Sequence, residues 1–178
     1  MFKFATMLKN SPNMGTGMLT VRNDSRVLPF GSFLRKTKLN ELPQLINILK
    51  GDMSIVGPRP MVEKTFLAYP KEVQDKVYDT RPGLTGIGSV VFRDEEEYLS
   101  KAAHPTDFYN KVIQPYKGEL ELWYLRHESF YTDASLIFLT AWVILFPKSR
   151  LPYKMCKDLP SKDMAKEVDE FNKLFNRA

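Results

Sequence analysis

Apolar residues recur every three or four positions in several stretches of this chain, and each stretch predicts a helix with one buried face. Leu42, Leu45, Ile46 and Leu49 form the first stripe. Asn40 suits the N-cap ahead of it, Pro43 falls in the first turn where its missing N–H costs little, and Lys50 then Gly51 make an ordinary exit. A helix is therefore expected over residues 41–50, stripe toward a core. Residues 61–79 predict another, interrupted at Pro70, with Val73 and Val77 inside. From Thr106 the pattern is helical again, with a break near Pro115 and Leu120, Leu122, Trp123 and Leu125 as contact surface. Asp133 is placed to cap an apolar run over 134–146 that ends at Pro147, and Ser161 to cap a last helix with Met164, Val168, Phe171 and Phe175 on one side. Strand signals are sparse. Residues 2–7 alternate enough for a short strand, and 10–17 read as a loop.

Composition changes this picture little. The 178 residues suit one domain with appended helices, and 43% hydrophobic with 26% charged residues is ordinary for a globular chain. Lys and Arg total 26 against 21 acids, a net charge of +5, which favours an anionic membrane surface, a phosphorylated substrate or nucleic acid. No zinc-finger spacing, RNA-binding signature or DNA-reading helix supports nucleic acid. One cysteine, Cys156, excludes an internal disulfide, and His104 and His127 are too separated for a zinc motif. The run over 134–146 holds thirteen residues, too short at about 1.5 Å each to cross a hydrocarbon core of about 30 Å. It is either a buried core helix or an interfacial one, with Trp142, Lys148, Arg150, Tyr153 and Lys154 as its aromatic and basic edge.

Candidate chemistry concentrates in residues 33–60, FLRKTKLNELPQLINILKGDMSIVGPRP. A helix N-terminus is receptive to anions, Arg35, Lys36 and Lys38 lead into it, and Arg59 between two prolines offers a planar fork for phosphate. Glu41 is the nearby acid. It either holds a divalent metal bridging phosphate oxygens, or it only favours the helix start while the lysines are solvated. A second cluster, residues 81–93, joins Arg81 and Arg93 to Gly83, Thr85, Gly86 and Gly88. The acidic run 94–97 reads as a solvated helix start.

The order of residues in both clusters resembles the bacterial sugar transferases, the monotopic phosphoglycosyl transferases, whose pattern runs L-R-K-x-S-L-D-E-L-P-Q-L-x-N-V-L-K-G-D-M-S-x-V-G-P-R-P and later R-P-G-x-T-G. The chain reproduces most of it, from Leu34 through Glu41 and Gly51 to Pro60, and again from Arg81 to Gly86. Asp24, Ser25, Arg26 and Val27 match an Asp-x-Arg-Val motif whose acid and base either pair or order the active site.

The resemblance implies an α+β fold, mainly helical with a few short strands, whose compact core carries amphipathic membrane-interface helices. It implies transfer of a sugar-1-phosphate from a UDP-sugar to polyprenyl (undecaprenyl) phosphate, releasing UMP, in surface polysaccharide, lipopolysaccharide or glycoconjugate synthesis. Glu41 would hold Mg²⁺; Arg59 would act in catalysis; Lys3, Arg35, Arg81, Gly83, Thr85, Gly86 and Arg93 would bind substrate. The implied location is the cytoplasmic face of the bacterial inner membrane, peripheral or monotopic, with a homo-oligomer left open. A hydrophobic membrane helix is expected just before a segment like residues 2–7, where this chain begins. It therefore reads as a catalytic-type domain over 1–155 without that anchor, plus an amphipathic tail over 156–178. After the T-G step, Ile87, Gly88 and Ser89 replace the aromatic, Ala, Gln wording common in the family, which leaves the sugar open.

One departure bears on the chemistry. Where the family has an Asp-Glu pair, its Asp attacking the β-phosphorus, this chain has Asn40 and Glu41. A neutral amide is a poor nucleophile. Either another carboxylate attacks (Glu41 or Asp52), or the acceptor phosphate attacks directly, or the chain no longer catalyses the step. The last case makes it a homologue that binds nucleotide sugar or a partner transferase; a basic membrane-surface module without a nucleotide site would leave the motif unexplained.

Overall fold

The computed structural model describes residues 1–15, 17, 19–61, 63–67 and 69–175, and the side chains of Lys64 and Phe175 lie outside that description. Helices dominate it. In chain order they are α1 (Pro29–Lys36), α2 (Gln44–Leu49), α3 (Glu63–Phe66), α4 (Lys71–Tyr78), α5 (Ile87–Val91), α6 (Glu95–Lys101), α7 (Pro105–Phe108), α8 (Gln114–His127), α9 (Phe130–Leu145), α10 (Leu151–Met155) and α11 (Met164–Phe175). Two strands, β1 (Ser54–Val56) and β2 (Gly83–Thr85), pair in parallel with Ser54 opposite Gly83 and Val56 opposite Thr85. Parallel neighbours need a crossover, and α3 and α4 supply it. The segment over 2–7 forms only a bridge, Met7 to Val27.

α8 is the axis of the core. Tyr116, Leu120 and Tyr124 on it are almost completely buried with Ile87, Leu99, Phe108, Ile113, Leu136 and Leu139 from its neighbours. It packs against α4 and α5, and α5 packs in turn on α9. Pro115 does not break this helix. The preceding turn widens into a π-helical stretch, Tyr109–Ile113, so that α7 runs through it into α8; a wider turn can absorb the backbone N–H that proline lacks. The tail packs on the body. Met164, Val168 and Phe171 of α11 are buried, Phe171 meets Phe108 edge-on with ring centres 5.2 Å apart, and Asn172 bonds Lys101 O and Ala103 N. Phe175, assigned to the same stripe, lies outside the described side chains.

Three predicted caps fall elsewhere. Ser129, not Asp133, caps α9 by accepting the Thr132 N–H, which frees Asp133 to accept the Tyr124 hydroxyl. Asp163 accepts the N–H groups of Ala165 and Lys166 at the start of α11, in place of Ser161. Asn40 caps nothing: it lies within a 3₁₀ turn, Leu39–Glu41, and α2 starts later, after Pro43. The exit from α2 is as expected, with Gly51 in the left-handed region at φ 82°.

The largest difference concerns the stripe of α2. Leu42, Leu45, Ile46 and Leu49 are exposed, Leu49 at 88%, while Glu41, Gln44 and Asn47 on the other side are buried. Two of these polar groups have partners inside: Asn47 Oδ1 accepts the Phe2 N–H at 2.9 Å, and Glu41 meets two cations, while Gln44 Nε2 is buried without a partner among the described residues. Buried polar groups are tolerated when bonded in this way.

Candidate functional site

Glu41 sits in the 3₁₀ turn ahead of α2, and its burial leaves its carboxylate dependent on neighbouring charges. Its Oε1 accepts from Lys3 Nζ and from an Arg59 guanidinium nitrogen, each at 3.2 Å. Burial alone would raise its pKa, but Arg59, Lys3 and Lys38 together hold it below the usual carboxylate range. Lys3 reaches it because residues 2–4 lie along the turn, with the Phe4 N–H bonded to Asn40 O at 3.0 Å. Arg59 comes from the loop after β1, and its other terminal nitrogen donates to Ser89 Oγ on α5 at 3.2 Å.

These groups line a cleft of about 1450 Å³, with Lys38, Asn40, Arg93, Tyr69 and Glu121 also on its walls. Lys38 precedes the turn in a left-handed conformation, φ 61°. Burial first, then Arg59, Arg93 and Lys3, lower its pKa to about 8 despite Glu41. Asn40 Oδ1 is buried without a partner among the described residues, and so is Arg93 Nε, while Arg93 also donates to Lys36 O at 2.9 Å.

Glu121 on α8 was not legible as a site residue. Its side chain is buried, Oε2 has no partner among the described residues, and the Arg59 backbone N–H donates to the carboxylate. Burial raises its pKa to about 7, against the pull of Arg59 and Lys117. An acid inside the apolar pattern of a predicted core helix was the available signal, since such a residue is rarely buried without a role.

Of the sequence-predicted residues, Lys3, Asn40, Glu41, Arg59 and Arg93 converge on the cleft. Arg35 also lines it, but its guanidinium pairs with Glu96 at 2.7 Å. The acidic run is accordingly more than a solvated helix start: Glu95 pairs with Lys117 and Glu97 with Lys101 and Arg22. Arg81, Gly83, Thr85 and Gly86 are not among the lining residues. Arg81 is exposed. The glycines serve backbone packing, because a Cβ on Gly83 would lie 2.2 Å from Gly57 N and one on Gly86 2.3 Å from Gly57 O. Thr85 bonds Thr140 on α9 at 2.6 Å. Asp52 is exposed, apart from the cleft.

Asp24 and Arg26 pair, and the pair also orders the cleft wall. Arg26 donates to the carbonyls of Ser11, Met14, Gly17 and Leu19 at 2.6 to 2.8 Å while its guanidinium holds Asp24 at a pKa of about 2. One buried side chain thus fixes the loop that leads into residues 19–24, which line the cleft.

A magnesium ion takes six oxygens, commonly from one or two carboxylates with waters and phosphates. Here Glu41 offers one carboxylate already shared by two cations, Asn40 beside it is neutral, and no group of three or more His, Cys, Asp or Glu converges among the described residues. That donor set suits an anion better than a divalent cation.

Comparison with known proteins bears on what that anion is. A sequence model of the family described as bacterial sugar transferase matches residues 1–147. The undecaprenyl-phosphate galactose phosphotransferase of Salmonella typhimurium is 34% identical over 158 residues, 81% of this chain and 30% of that protein. The UDP-glucose:undecaprenyl-phosphate glucose-1-phosphate transferase of Xanthomonas campestris pv. campestris is 37% identical over 152 residues, covering 84% of this chain and 29% of that protein. EpsL of Bacillus subtilis, a sugar transferase by its description, is 31% identical over 145 residues, 82% of this chain and 62% of its own length. The chain thus spans about a third of the length of the first two relatives.

Proposed function

This chain belongs to the bacterial sugar transferase family, and we propose that it transfers a sugar-1-phosphate from a UDP-sugar to polyprenyl phosphate, releasing UMP, in surface polysaccharide synthesis. The observation that carries the reading is the meeting of Lys3 and Arg59 on one oxygen of Glu41, in an open cleft. Two cations held by a single acid retain charge for a ligand, and the UDP-glucose in the Xanthomonas relative's name carries a diphosphate. Glu41 acts here as a positioning group that fixes both cations. As the bridge breaks, Arg59, Lys3 and Lys38 stabilise the negative charge that gathers on the departing phosphate.

Asn40 shapes the route. Its amide does not attack phosphorus, the Glu41 carboxylate is taken up by Lys3 and Arg59, and Asp52 is apart from the cleft. The acceptor's phosphate oxygen therefore attacks the β-phosphorus directly. The bond from that phosphorus to the bridging oxygen breaks, UMP leaves with the bridging oxygen, and the sugar-1-phosphate remains joined to the acceptor as a diphosphate. A second reading, a binding homologue without turnover, draws on the same residue.

The acceptor's chain calls for a lipid surface, and we place this protein on one. No helix among the described residues is long and apolar enough to cross a membrane. Yet Phe30, Phe33, Leu45, Ile46 and Leu49 are exposed around α1 and α2, and Phe130, Tyr131, Phe138, Leu145 and Phe146 on or beside α9. Exposed apolar surface on this scale marks an interaction face. α9 buries Leu136, Leu139 and Val143 in the core and exposes Ile137, Phe138 and Leu145, the side we assign to the lipid surface.

The test is UMP release from a panel of UDP-sugars by the chain in lipid vesicles with and without undecaprenyl phosphate. Release that requires the acceptor and disappears in Glu41→Ala is expected. Release only after Asn40→Asp would favour the binding homologue, and none from either form would overturn the proposal.

A further inference from the structure

The cleft's charge balance points past the reaction to how its donor is held. Lys38 is a non-glycine residue in the left-handed region, a conformation that costs a lysine energy and that surrounding structure must enforce. The Glu41 N–H donates to Lys38 O at 3.0 Å, which ties this conformation to the turn carrying the acid. The result is a fourth cation beside Lys3, Arg59 and Arg93 on the cleft walls. Among the described residues Lys38 has no ion pair, Glu41 is already shared by Lys3 and Arg59, and Arg93 pairs with Asp94 at 3.9 Å. Burial above all, and then the neighbouring cations, lower the Lys38 pKa to about 8. Glu121 adds little, since burial keeps much of it protonated near neutrality. With Arg93 paired to Asp94, the four cations against Glu41 and Asp94 leave this part of the cleft at about +2 before a ligand enters, a poor site for a divalent ion and a good one for a diphosphate.

The two positions responsible, Lys38 and Asn40, are separated only by Leu39 in the sequence. The family pattern has Ser and Asp where this chain has Lys38 and Asn40. The first change adds a positive charge and the second removes a negative one. Both move the cleft in the same direction.

We propose that this chain binds a nucleoside diphosphate without a divalent metal, Lys38 supplying the charge that a metal ion would otherwise bring. The inference rests on the donor reading given under Proposed function, and it makes Lys38 a binding residue and Asn40 the change that permits it.

Calorimetric titration of the full chain with UDP, once in EDTA and once in millimolar Mg²⁺, tests it. Glycine accepts a positive φ, so Lys38→Gly removes the ammonium while keeping the backbone, and a thermal melt checks its fold. The native chain is expected to bind UDP equally in both conditions, within about threefold. Lys38→Gly is expected to lose at least about tenfold in EDTA, and Lys38→Ser with Asn40→Asp to regain that affinity only when Mg²⁺ is added. Native binding that needs Mg²⁺, or that survives Lys38→Gly, overturns the inference and leaves the transferase reading standing. If UDP fails in both conditions while inorganic pyrophosphate binds in EDTA, the nucleotide reading fails and the metal-free anion site remains. Binding of neither overturns both.

Discussion

Single residues set the electrostatics of this cleft, and Glu121 shows how far environment can move one. Its folded pKa of about 7 lies above the ordinary value of 4.5. Between those values the folded protein keeps a proton that the unfolded chain has released. Stability therefore falls as pH rises through that window, and the penalty is complete above pH 7. Glu121→Gln is expected to flatten this dependence, so its advantage over the native chain grows between pH 4.5 and 8 by roughly 3 kcal/mol. Denaturant titrations at pH 4.5, 6 and 8 measure it; a constant difference would contradict the assignment. Glu41 is the opposite case. Burial pushes its pKa up, but Arg59 and Lys3 win, so it remains charged and holds both cations.

At the scale of elements, α2 carries the clearest lesson. Its stripe of Leu42, Leu45, Ile46 and Leu49 was legible, and so was its exit at Gly51, but periodicity identifies a face without saying what covers it. Here Asn47 and Glu41 found partners in the N-terminal segment, and the apolar side turned outward. Replacing Leu45 and Leu49 with Ser is expected to leave the melting temperature within about 2 °C, since neither is in the core. The same change is expected to weaken sedimentation with anionic vesicles several-fold. A large loss of stability would put that stripe back inside. At the two ends of β2 the sequence pointed to ligand binding for Gly83 and for Gly86 just beyond it, whereas their lack of a Cβ serves close approach to Gly57. Glycine conservation of space for a ligand and for another backbone look alike in sequence; distances separate them.

At the scale of the molecule, the helical class, the cleft residues around Glu41 and the apolar side of α11 were readable, because long motifs and strong periodicity carry them, while what covers that side was not. Long-range pairings were not: the reach of Lys3 to Glu41, Arg35 to Glu96 and Glu121 into the cleft depends on how helices pack. The tail belongs to that packing. Phe171→Ala is expected to cost about 3–5 kcal/mol in denaturant melts, as for other buried aromatics; a loss under 1 kcal/mol would make α11 an appendage.

The account stands on where the donor's diphosphate sits, at the cations around Glu41 and not at the R-P-G turn. Calorimetric affinity for UDP in Arg59→Ala and Arg81→Ala, set beside the native chain, tests this most directly. Arg59→Ala is expected to weaken binding by about 10- to 100-fold, the worth of a charged hydrogen bond, and Arg81→Ala by less than about twofold. Equal affinity in Arg59→Ala with a large loss in Arg81→Ala would contradict it.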